Sequence, residues 1–171
     1  MSGGRELLKR CFECHPEEMK RETLLGYVGG LVLVCCIVAA AQDKGNWRAA
    51  SSTAKSITGD VGLTEEKVGI NFSSFTIARI RGLQAPEASA LFDADTSGGG
   101  NGNVYRLSIP STKTFLHKNT LCGTEETQWM VSYAVGRSLQ LAFFSGATPP
   151  VFTLEALASS SDMCGTFSYV R

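Results

Sequence analysis

Few residues in this chain could do chemistry, and they are scattered. Cys11, Cys14 and His15 form a C-x-x-C-H, the spacing for covalent haem attachment through two thioethers with the histidine as axial ligand. The motif precedes a long apolar run and so lies on the side of a membrane opposite to the one where that haem is attached. A chance match is the better reading, and no cofactor is expected. A zinc site on the same three residues would lack a nearby fourth ligand. Asp93, Asp95, Ser97 and Gly98 match the opening of a calcium loop, with Asn101 also in place. Val104 stands where the bidentate glutamate should be, so an acidic turn whose side chains cap backbone amides is favoured over a metal site. His117 is the sole histidine after the apolar run and the sole group there that titrates near neutrality when unperturbed. A Ser-His-Asp site could be written around it with many serines and with Asp60 or Asp162. There is no G-x-S-x-G elbow and no H-E-x-x-H pair to narrow the choice. Glu125 and Glu126 are adjacent and would face opposite ways on a strand, so they make no glycosidase pair. An exposed loop histidine is expected, and a hydrolase using His117 stands as the alternative.

The apolar run is Leu24–Ala41, eighteen residues without a charge. As a helix it would cover about 27 Å, just enough for a bilayer's hydrocarbon core. Met19-Lys20-Arg21 supplies a positive flank, and Ala39 and Ala41 give the small-x-small pattern of a cleavage site before Gln42. A signal peptide over residues 19–41 is the first reading; an uncleaved anchor is the second. Both place residue 42 onward outside the cytoplasm. Cys35 and Cys36 make a poor lipidation site, since no small residue precedes Cys35. Residues 1–18 form an extension ahead of the signal, and Met19 is an alternative start.

Four of the six cysteines belong to residues 1–41, leaving Cys122 and Cys164 in the exported part, where a disulfide is expected. The chain carries 16 basic and 16 acidic residues, five of each before residue 42, so the exported part is itself neutral. That removes the electrostatic case for nucleic acid.

Residues 42–53 read as a linker and residues 54–171 as a mainly β domain. Asn103–Pro110 alternates, with Tyr105, Leu107 and Ile109 on one face. Trp129, Val131, Tyr133 and Val135 share a face, as do Leu139, Leu141 and Phe143, and Phe167 and Tyr169. Weaker strands are expected at Ala54–Thr58, at Lys67–Phe72 with Val68, Ile70 and Phe72 aligned, and at Phe75–Arg81. About seven or eight antiparallel strands in a small barrel or sandwich follow, preceded by an N-terminal apolar helix. A two-residue loop at Gly136-Arg137 would set Tyr133 against Gln140, so an odd loop or bulge is expected there, with positive φ near Gly136. Short helices are expected after Pro86 and at Leu154–Ser159, the latter capped by Thr153. Ser97–Asn103 (SGGGNGN) reads as a mobile loop.

Phe144, Pro149, Pro150 and Phe152 form an apolar, proline-stiffened ridge. It is a candidate contact for a ligand or partner, or a lid over one end of the barrel.

The segments NTLCG (119–123), TQWM (127–130), LQLAFFSG (139–146), PPVFT (149–153) and CGTFSYVR (164–171) resemble small exported proteins of Gram-negative bacteria with no assigned function. The resemblance implies a bacterial, exported β domain and nothing catalytic. In architecture the domain also looks like periplasmic enzyme-inhibitor modules and lipocalin-like barrels. Together these readings lead to one expectation: a periplasmic or secreted binding module for a small apolar ligand or an envelope protein, without catalysis. The third reading is an inner-membrane-anchored structural protein, touching the membrane only through an uncleaved Leu24–Ala41.

Overall fold

The computed structural model describes residues 43–171. The C-x-x-C-H motif at Cys11–His15 and the apolar run Leu24–Ala41 lie outside the described residues. No helix among the described residues is long and apolar enough to cross a membrane.

Eight antiparallel strands close into a barrel: β1 (Gly45–Ala49), β2 (Val61–Leu63), β3 (Lys67–Ile70), β4 (Ser73–Gly82), β5 (Asn101–Ile109), β6 (Thr127–Val135), β7 (Ser138–Phe144) and β8 (Met163–Val170). Each pairs with the next, and β1 closes on β8 through Arg48↔Val170 and Ala49↔Tyr169. Eight strands leave an interior just wide enough for side chains to fill. Here Trp47, Ile70, Tyr105, Met130, Leu141, Phe143, Phe167 and Tyr169 are buried to 1% exposure or less in one continuous cluster. A π-helical turn, Ala54–Thr58, covers the end near the turn Leu116–Lys118; Asn119 Nδ2 donates to the Ser56 carbonyl at 3.1 Å. Its Thr58 hydroxyl meets the Tyr169 hydroxyl at 2.7 Å inside the core.

A second core lies outside the barrel. Trp129, Val131 and Tyr133 of β6 and Ala142 and Phe144 of β7 point outward. They are buried with Ala88, Leu91 and Phe92 of α1 (Ala85–Phe92), and Leu157 of α2 (Leu154–Ser159) packs against the same cluster. Pro86 sits in the first turn of α1, and Gln84 and Glu87 form a capping box. The Thr153 side chain caps α2, accepting from Ala156 N–H at 3.2 Å.

This second core corrects the expected hairpin. The β6–β7 loop has two residues, Gly136 and Arg137, and Tyr133 does pair with Gln140. Both faces of these strands are buried, so neither had to match the other's polarity. Gly136 has φ 56°, which a two-residue turn of this kind asks of its first central residue. Three further expectations also change. Ala54–Thr58 is the helical turn, not a strand, because it serves as an end cap. Residues 42–53 are no simple linker, since β1 lies within them and buries Trp47. The glycine-rich stretch is partly strand, with β5 starting at Asn101.

The expected disulfide is present: Cys122 and Cys164 are bonded, with Cα atoms 4.8 Å apart and a separation of 42 positions in sequence. Such bonds persist in oxidising, non-cytoplasmic surroundings. Closing a loop of that length is worth about 4 kcal/mol on the chain-entropy account. Urea unfolding with and without reductant should show a loss approaching that figure.

Arg81 on β4 grips Glu87 on α1 with two bonds of 2.7 Å each. The Arg81 guanidinium, helped by the Gln84 amide, holds the Glu87 carboxyl below the usual glutamate range. A depressed folded-state pKa stabilises above the unfolded value and loses that stabilisation as pH falls through the folded one. The pair is partly exposed, so the acid-side loss should be no more than about 0.5 kcal/mol. Unfolding from pH 6 down to pH 3 should show it, and Glu87→Gln should remove that increment while keeping the cap.

Candidate functional site

Two polar arrangements stand out, and the sequence reading singled out neither. The first is a buried carboxylate. Asp43, just before β1, is completely buried. Its Oδ2 accepts from Asn103 Nδ2 at 2.9 Å, from the Tyr105 hydroxyl at 2.8 Å and from Ser132 Oγ at 2.8 Å. Its backbone carbonyl accepts from Trp47 Nε1 at 2.9 Å. Asn103 and Ser132 face each other across β5 and β6, and Tyr105 lies two residues along on the same inward face. The network extends outward on both sides. Arg79 Nε donates to Asn103 Oδ1 at 2.6 Å, and Lys44 Nζ donates to the Tyr105 oxygen at 2.9 Å. Lys44 Nζ also stands 3.8 Å from both Asp43 Oδ1 and Glu65. Burial, reinforced by the Asp43 charge, pushes the Tyr105 phenol above its ordinary value, so it stays a donor. A carboxylate held by three donors and shut off from solvent meets no substrate. It ties the start of β1 to β5 and β6.

The second arrangement is a cleft of about 1020 Å³ over β1–β3 and the end of β8. Val61, Leu63, Val68 and Ile70 point into the core, which turns Asn46, Arg48, Gly62 and Gly69 outward. Gly62 and Gly69 face each other across β2 and β3, so this stretch of floor is bare backbone. Arg48, Arg137 and Arg171 line the cleft, as does Asp60, whose Oδ1 accepts the Ala49 amide at 2.9 Å. Phe72 stands on its rim, and its side chain is completely exposed. The expected alignment of Phe72 with Val68 and Ile70 is therefore corrected. β3 ends at Ile70, and Asn71 (φ 44°) and Phe72 (φ 63°) form the two-residue loop that opposes Ile70 to Ser73. Asparagine tolerates the left-handed region; a bulky aromatic there is strained, and glycine would relieve it.

The residues anticipated from sequence fall elsewhere. His117 is exposed in a left-handed turn (φ 55°), and no described residue bonds its imidazole, so the geometry of a hydrolytic triad is not assembled. Asp93 (φ 51°) ends α1, while Asp95 Oδ1 accepts the Ser97 amide at 2.9 Å, closing a turn. Among the described residues no cluster of histidine, cysteine and carboxylate side chains could hold a metal. Phe144 and Phe152 are buried and pack edge to face at 5.8 Å, so neither is an exposed contact. The segment is a lid, but over the outer face of β6 and β7 rather than over a barrel end. Pro149 is exposed on it and Pro150 half-buried.

Fold and site together define a small closed β-barrel with a packed interior and an external, arginine-lined cleft. No protein-family model, curated protein or solved structure was found to match the chain.

Asp43→Ala should cost about 3 kcal/mol or more, since it leaves three buried donors without their acceptor. Tyr105→Phe, which removes one donor to a charged group, should cost about 2 kcal/mol. Urea unfolding of the two variants checks both figures.

Proposed function

We propose that the domain is a periplasmic or secreted binding module without catalysis. Its ligand or partner is taken at the cleft over β1–β3, not inside the barrel. The observation that carries this reading is Phe72. A large apolar side chain is held fully in solvent by a strained backbone at the rim of the cleft over β1–β3. Backbone strain at a surface site is a reason to look for function there. Elsewhere among the described residues the large aromatic side chains are buried or half-buried: an interior of side chains inside the strands, and two helices over β6 and β7. The disulfide supports a location outside the cytoplasm, as does the positive flank ahead of Leu24–Ala41.

A photoreactive amino acid at position 72, introduced into the protein in its native envelope, tests the reading. It should give a discrete adduct. The same group at Val151, exposed on the lid over the opposite face, should not. Adducts at neither position, or equally at both, would contradict a site at the cleft.

A further inference from the structure

We propose that the occupant of the cleft is a second copy of this chain, bound across a two-fold axis so that each copy seats its Phe72 in the other's cleft. This rests on the reading of the cleft as the binding site and names its partner.

Shape gives the first argument. Phe72 is a projection. Its side chain is completely exposed, and the two-residue loop Asn71-Phe72 between Ile70 and Ser73 keeps it from turning back to the core. A side chain fixed in this way loses little freedom on binding. Beside it lies a hollow. Gly62 and Gly69 give a floor without side chains, and Leu116 and the exposed Val170 add aliphatic walls. A cavity of about 150 Å³ takes a benzene ring. The cleft, at about 1020 Å³, has room for a phenyl ring and the loop that carries it. A small molecule lying in that hollow would leave the outward face of Phe72 in water. A surface with both a projection and a hollow can be self-complementary, as an isologous interface requires: residue i meets residue j, and j meets i. Exposed aromatic side chains make strong anchors at such interfaces.

Charge gives the second argument. Arg137 is already engaged, its Nε and Nη2 donating to the main-chain oxygen of Arg171 at 3.1 and 2.7 Å. Arg48 is exposed, and its guanidinium makes no hydrogen bond or ion pair with a described residue. The carboxylate side chain among the lining residues is Asp60, also exposed. It accepts the Ala49 amide at 2.9 Å and is in no ion pair with a described residue. One such cation beside one such anion selects neither an acid nor a base as ligand. Two copies related by a two-fold axis answer both at once, with Arg48 of each facing Asp60 of the other. The exported part is neutral as a whole, so two copies approach without net repulsion.

The test is photocrosslinking of the full-length protein in its native envelope, with two differently tagged copies co-expressed and benzoylphenylalanine at position 72. The adduct should have twice the mass of one copy, carry both tags, and join position 72 of one copy to the cleft of the other. Arg48→Asp in both copies should lower its yield about tenfold, as should Asp60→Lys in both. Arg48→Asp in one copy with Asp60→Lys in the other should restore it, because each charge then meets its opposite. Asp60→Asn keeps an acceptor for the Ala49 amide; it should also lower the yield, with circular dichroism and melting unchanged. Without the crosslinker, Phe72→Ser should reduce recovery of one tagged copy with the other by about tenfold or more, and Val151→Ser should leave it unchanged. An adduct of any other mass would reject the second copy and keep the cleft as the site. A doubled adduct indifferent to Arg48→Asp and Asp60→Lys would reject the two-fold arrangement. Absence of a discrete adduct would reject the partner and the site together.

Discussion

The carboxylate of Asp43 is the interaction on which the rest of this barrel depends. A closed barrel needs its first strand to meet its last, and β1 meets β8 over only two residue pairs. β2 is three residues long and offers β1 little more on its other side. What fixes β1 is the charge just ahead of it, held by donors from β5 and β6 on the far side of the interior. A buried charge so placed is costly to desolvate. It is tolerable because three hydrogen bonds converge on one oxygen and a lysine stands near the other. The benefit is positional more than energetic, because those bonds form in a single register. Trp47, whose indole donates to the Asp43 carbonyl, carries that register into the packed core.

The same constraint reaches the surface. Arg48 follows Trp47 on β1, so its place in the cleft is set by the strand that Asp43 holds. The two sides of the barrel differ accordingly. On one side the outward residues of β6 and β7 are apolar, and two short helices and a proline-stiffened segment bury them. On the other side the outward residues of β1–β3 are glycine, asparagine and arginine. They leave a cleft in place of a second core. A filled interior with an asymmetric exterior puts recognition on the outside of the barrel.

Much of the barrel was legible in the sequence, because alternation along β5 to β8 is strong and each of those strands has at least seven residues. The pairing of Cys122 with Cys164, the helix start at Pro86 and the Thr153 cap were legible for equally local reasons; the Gln84–Glu87 capping box was not anticipated. The short strands were not: β1 shows one large apolar residue, Trp47, and β2 has only three residues. Phe72 was misplaced because it continues an alternating pattern, and only the closing of a two-residue loop turns it outward. Phe144 and Phe152 were read as a surface because nothing local reveals that α1 and α2 cover them. The Asp43 network left one usable trace. Asn103 and Ser132 are polar residues at inward positions, which calls for a buried partner. Its identity, some sixty residues away from Asn103, is a tertiary fact. The cleft left no trace, since bare glycines and arginines are brought together only by sheet register.

Amide hydrogen exchange on Asp43→Asn, a change of charge at nearly constant shape, tests the central claim most directly. If Asp43 holds the seam, the amides of β1 and the closing end of β8 should lose protection selectively, while those shared by β5, β6 and β7 keep theirs. Unchanged protection in β1 and β8, or a uniform loss across all eight strands, would contradict the account.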